Sequence, residues 1–140
     1  MRNAYFVYSP EQLGYKFSDD HPFNHKRLTL TIDLLKSIGA LHDDDIIPAR
    51  MATDEELLLA HDAAYIDIVK KAGHGQLSPA QCENYGIGTE DTPVFQNMHE
   101  ASALLVGGTL TAVECVMEGK SKHALNLAGG LHHGFRGRAS

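Results

Sequence analysis

The sequence predicts an α/β fold, a mainly parallel sheet flanked by helices. Three observations carry this. Residues 3–8, Asn-Ala-Tyr-Phe-Val-Tyr, are rich in aromatic and β-branched types and read as a strand. Residues 124–128, Ala-Leu-Asn-Leu-Ala, form a short, mostly apolar run bounded by turn signals and read as a buried strand. The segments between them carry apolar residues at helical spacing. Strands that alternate with helices pair in parallel through right-handed crossovers. The strand order is left open.

After the first strand, Pro10, Gly14 and Asp19-Asp20 mark residues 9–21 as a loop. A helix is expected from about Pro22, because proline suits a first turn. Leu28, Ile32 and Leu35 form its stripe, Leu34 and Ile38 widen it, and Gly39 stops it. Asp43-Asp44-Asp45 reads as a solvated turn. Ile46–Arg50 reads as a short strand near an edge, since Pro48 cannot donate to a ladder. Thr53 and Glu56 have capping-box spacing ahead of a helix through Leu57-Leu58-Leu59. Asp62 is placed to cap a further helix carrying Tyr65, Ile66 and Val69, with Gly73 as its stop. Residues 73–92 read as a long, glycine-punctuated loop, and long ordered loops are often functional. Thr92-Pro93 opens the longest helix, about 93–118, stopped by Gly119. Gly107 and Gly108 inside it cost roughly 1 kcal/mol each against alanine, which a close helix–sheet contact would explain. The final strand, apolar on both faces, suits a central position in a covered sheet.

Length and composition narrow the function. The 140 residues suffice for one domain. A net charge of −6 argues against nucleic acid as a main partner. No apolar run is read as a membrane span, and the N-terminus has no secretory pattern, so a soluble cytoplasmic protein is expected. Cys82 and Cys115 stand far apart and read as two reduced thiols. Charge is uneven: Lys120, Lys122, Arg136 and Arg138 have no acidic residue among positions 120–140. They form a solvated tail, a basic rim around a site, or cations meant for carboxylates this chain lacks.

The most informative stretch is Gly129-Gly130-Leu131-His132-His133-Gly134. In an open α/β sheet, ligands bind beyond the carboxyl ends of the strands, which is where these residues fall. Glycine permits a sharp turn or close approach to a ligand. Histidine changes charge near neutral pH.

The strand followed by Gly-Gly-Leu-His-His-Gly resembles the signature of the histone deacetylase family, within it the bacterial acetoin-utilization deacetylases. The resemblance implies the N-terminal part of the arginase–deacetylase fold. It makes His132 and His133 a general-base and electrostatic pair beside a catalytic zinc. His21-Pro22-Phe23-Asn24-His25-Lys26-Arg27 resembles the family's His-Pro motif, with His25 where many members have a second proline; Arg27 then lines an internal cavity. Alone, Arg27 reads as a helix-surface cation. Glu90-Asp91-Thr92-Pro93-Val94-Phe95 resembles the loop whose aspartate, here Asp91, holds the substrate backbone. Alone, Asp91 reads as a carboxylate near a helix start. His61–Ile66 resembles a helical segment of structural role, its histidine no ligand.

The matching segments span residues 5–140 and cover only the N-terminal portion of a family domain, so the chain is expected to be a single truncated portion. In the family, zinc is held by an Asp-x-His segment and a second aspartate, and a tyrosine stabilises the oxyanion, all after the histidine pair. No such segment follows His133 here. A catalytic zinc needs three protein ligands and an open position. The implied parent is therefore a zinc-dependent deacetylase acting on acetylated lysine, while this chain is expected to hold no zinc and to be inactive alone. Two alternatives remain: a self-associating α/β fragment, possible as a homo-oligomer through an unpaired strand, and a small metal- or anion-binding module around His132 and His133.

Overall fold

A computed structural model describes residues 2–140. Three parallel strands form the sheet: β1 (Arg2–Val7), β2 (Ile46–Ile47) and β3 (Ser121–Asn126), in the order β2-β1-β3. Among the described residues, five α-helices accompany them: α1 (Lys26–Ser37), α2 (Asp54–Leu57), α3 (Ala63–Gly73), α4 (Pro79–Glu83) and α5 (Met98–Met117).

β1 is the centre, pairing Phe6 with Ile46 on one side and Phe6 with Leu125 on the other. β3 is therefore an edge strand among the described residues: its apolar pattern suits a central, covered position, and its outer side is the expected unpaired one. It also lies earlier, because its register with β1 runs from Arg2↔Ser121 to Val7↔Asn126. The polar Ser121, Lys122 and His123 belong to the ladder, while Leu127 and Ala128 have left it. The second strand is cut from five residues to two: after Ile47 the main chain bonds elsewhere, with Ala49 N–H donating to Ser9 Oγ at 2.8 Å and Arg50 N–H to Thr111 Oγ1 at 3.1 Å.

Three other boundaries move for local reasons. α1 begins at Lys26, not Pro22, because the Asn24 side chain accepts from Lys26 N–H at 2.9 Å and closes a turn before the helix. α5 begins at Met98, not Pro93, because Asn97 has left-handed backbone, φ 57°. The segment 73–92 is not all loop: Ser78 and Gln81 make a capping box around the short α4. In the loop 9–21, Pro10–Gly14 form a 3₁₀ turn. The helix through Leu57-Leu58-Leu59 is the single turn α2, held by the expected Thr53–Glu56 box, with Glu56 N–H donating to Thr53 Oγ1 at 3.2 Å and Thr53 N–H to Glu56 Oε2 at 2.8 Å.

The main core gathers Phe6 of β1, Tyr15, Leu28 and Ile32 of α1, Leu105 of α5 and Ala128. Leu34 and Ile38, expected to widen the α1 stripe, are exposed. A second cluster joins Ala72, Cys82, Ile87 and Met98. Both cysteines are free and buried. α5 is long and apolar enough to cross a membrane by length and composition, which the sequence reading missed; its Ala103, Leu104, Leu105, Gly107 and Gly108 are buried within the domain. The two glycines explain themselves by contact. A Cβ on Gly107 would overlap the Arg50 carbonyl, and one on Gly108 would stand 2.6 Å from Gln12 Nε2 and 2.8 Å from Asn126 Oδ1.

Candidate active site

Asn126, the last residue of β3, aims the chain that follows. Its Nδ2 donates to Thr109 Oγ1 of α5 at 3.1 Å and to the Ala128 carbonyl at 3.0 Å, and its Oδ1 accepts from Gln12 Nε2 at 3.5 Å. Gln12 is fully buried, and its Oε1 takes the Ser9 N–H at 2.9 Å. A buried polar network of this kind fixes geometry because each unpaired member would be costly. Sequence reasoning missed both residues; the signal for Asn126 was a lone amide in an apolar run.

Beyond Ala128 the chain enters a pocket of about 380 Å³. His132 and His133 both line it, with aromatic and apolar walls from Tyr15, Phe17, Tyr65 and Phe95. Gly129 and Gly130 line it too. Neither has a positive φ, and a Cβ on either would meet nothing within 4 Å. Their bareness leaves open space beside the main chain.

The His132 ring lies 5.7 Å from Phe17, centroid to centroid, tilted by 31°. Its Nε2 is buried and has no hydrogen-bond partner. A buried nitrogen without a partner is unusual in a folded chain and marks a place where another group can bind. His133 is exposed at the mouth. Tyr15, also missed, is 8% exposed. Burial pushes its hydroxyl above the usual tyrosine range, against a smaller opposing effect from a hydrogen bond with the Leu131 backbone. Tyr65 is raised the same way, first by burial and then by Tyr15 nearby. His99, another wall residue, is held below the ordinary histidine value by burial and then by Lys70, while Asp54 and Glu100 pull the other way.

Arg27 is not in this pocket. It is exposed, its guanidinium 4.7 Å from the Phe23 ring centre, and lines a second pocket of about 330 Å³ with His25, Leu127 and Gly129. The two pockets share Gly129 as wall. His25 is kept below the ordinary histidine value by burial and then by Arg27. Asp91 is exposed and does not line the first pocket, although Thr92 and Pro93 next to it do. Thr92 is buried and donates to the Gly86 carbonyl at 2.5 Å, which anchors the loop and leaves Asp91 at its tip.

Among the described residues, no three His, Cys, Asp or Glu side chains come together to hold a metal ion. Asp19 and His21 do have Asp-x-His spacing, yet Asp19 pairs with Lys16 at 2.6 Å and His21 Nδ1 accepts from Phe23 N–H at 3.1 Å. Among the described residues, Asp19 and His21 thus belong to no group that could hold a metal ion.

Residues 21–140 match the histone deacetylase domain. The acetoin utilization protein AcuC of Bacillus subtilis (strain 168) is 59% identical over all 140 residues, and that of Staphylococcus aureus (strain MSSA476) is 44% identical over 135. The chain spans 36% and 35% of the length of these relatives. An HDAC homolog from Aquifex aeolicus superposes with a TM-score of 0.83 at 29% identity, and an HDAC homolog complexed with SAHA with 0.82 at 28%; each match covers nearly all of this chain and 37% of the other.

Proposed function

The chain belongs to the histone deacetylase domain family, and from that membership we propose that it is part of a deacetylase that hydrolyses acetyl-lysine amides. The observation that carries the reading is the histidine pair in the apolar pocket just past β3, with His132 Nε2 buried and unpartnered.

A neutral imidazole accepts a proton at its free ring nitrogen and can return it to a leaving amine. His132 would do this at Nε2, toward a water attacking the amide carbonyl. His133, exposed beside it, would stabilise the charge that develops. The apolar walls exclude competing water and strengthen these interactions. Arg27 and Asp91 enter as substrate-side residues, Arg27 at the adjoining pocket and Asp91 at the loop tip. Zinc, which the family implies, would polarise the amide; its ligands would have to come from outside these 140 residues. Metal analysis of this chain is expected to find no stoichiometric zinc, and one tightly held zinc per chain would contradict that.

The proposed role is cytoplasmic and, in line with the relatives' names, linked to acetoin use. Assay of the full-length gene product on acetyl-lysine peptides, with and without chelator, tests it. Turnover abolished by chelator supports the reading, and no turnover on any acetyl-lysine peptide would overturn it.

A second reading, that the 140-residue chain self-associates, is favoured by the unpaired outer edge of β3 among the described residues. Leu125 and Leu127 beside it are 47% and 44% exposed.

A further inference from the structure

The chain after His133 is fastened as a strap along the pocket, of which Gly134 and Ala139 form part of the wall. His61 Nδ1 lies 2.9 Å from the Phe135 carbonyl oxygen. Since a carbonyl can only accept, that nitrogen must carry the proton. Asp62 N–H donates to the Arg136 carbonyl at 2.9 Å, and Arg136 Nε donates to Asp62 Oδ1 at 2.8 Å. Ala139 N–H donates to the Tyr85 carbonyl at 2.9 Å. The link back to the site is Phe135 N–H, which donates to the His133 carbonyl at 3.1 Å.

Three features show that the strap is built into the sequence. Asp62 occupies the N-cap of α3, where an aspartate ordinarily accepts from a first-turn N–H; its side chain makes no cap bond and pairs with Arg136 instead. Gly86 has φ 68°, and a Cβ there would collide with the Ala139 carbonyl. A Cβ on Gly137 would press on Asp62 Oδ2 at 3.2 Å. Bareness at 86 serves the contact with Ala139, and bareness at 137 and the off-cap carboxylate at 62 serve the contact with Arg136.

We propose that His61 and Asp62 are positioning residues: by anchoring residues 134–139 they hold His133, and with it His132, against the pocket. The inference takes the histidine pair as the working site, but its test reads the strap itself and needs no turnover.

The experiment compares the 140-residue chain with Asp62→Ser, Arg136→Gln and Arg136→Lys by NMR, following amide exchange and the imidazole Cε1–H shifts of His132 and His133. Serine can still cap α3, so loss of the cap is not the variable. Position 136 is exposed, so its variants keep the fold. Asp62→Ser and Arg136→Gln should raise exchange at residue 62 and at Ala139 roughly tenfold and move the His133 imidazole signal, because a charge-assisted anchor is lost. Arg136→Lys, keeping the charge, should restore both. Imidazole signals that stay put in Asp62→Ser and Arg136→Gln would overturn the proposal, with or without faster exchange. The absence of deacetylase activity in the full-length gene product would leave this result unaffected and would count against the proposed function alone.

Discussion

The main chain at Arg50 runs so close to Gly107 of α5 that a Cβ on the glycine would lie 2.7 Å from the Arg50 carbonyl carbon and overlap its oxygen. The same approach lets Ala52 N–H donate to the Ala103 carbonyl at 3.0 Å. The glycine is what allows the segment after β2 to lie on the helix that supports the site.

Gly107→Ala should therefore destabilise the chain. Helix propensity favours alanine by about 1 kcal/mol. Backbone on both sides must shift to relieve the overlap, and overpacking of this kind costs about 1–3 kcal/mol or more. Urea denaturation should show a net loss of about 2 kcal/mol. Unchanged or higher stability would mean that the segment at Arg50 moves freely.

Arg50 also ties that segment by charge. It donates to Glu56 Oε1 at 2.6 Å and to Glu114 Oε1 at 2.5 Å. These bonds, Arg50 first among the causes, hold the Glu56 carboxyl down to about 2. A carboxyl depressed by folding stabilises above its ordinary value, near 4.5, and that contribution is lost as the pH falls toward about 2. Acid titration of stability should thus fall across this window in the native chain and less steeply in Glu56→Gln. Identical slopes would dismiss the pair, whose partly exposed position already limits its worth.

Part of this was legible in the sequence and part was not, for physical reasons. His132 and His133 could be placed because a strand followed by glycines ends at a sheet's carboxyl edge, a local pattern. The α/β class and the parallel pairing followed from element alternation. The exact strand at Ser121–Asn126 was hidden because its first three residues are polar and only the register with β1 recruits them. Gln12–Asn126 and Asp62–Arg136 join residues 114 and 74 positions apart, and nothing local in either segment announces the partner. Asp62 looked like a cap and is the cap position, yet its carboxylate goes to the strap.

The edge of β3 carries a further expectation. Exposed main-chain groups beside Leu125 and Leu127 are a template for another strand. Light scattering at micromolar concentration should find the 140-residue chain as a dimer or larger, and Leu125→Lys should shift it toward monomer. A monodisperse native monomer would show that the edge is not sticky.

The central claim is that His132 moves the proton in amide hydrolysis while His133 stabilises the charge that develops. Its most direct measurement is kcat on an acetyl-lysine peptide for the full-length gene product and its His132→Ala and His133→Ala variants, at matched folding by circular dichroism. General acid–base catalysis contributes about 10²–10⁴-fold, so each variant should lose turnover on that scale. Variants that keep native kcat would contradict the assignment.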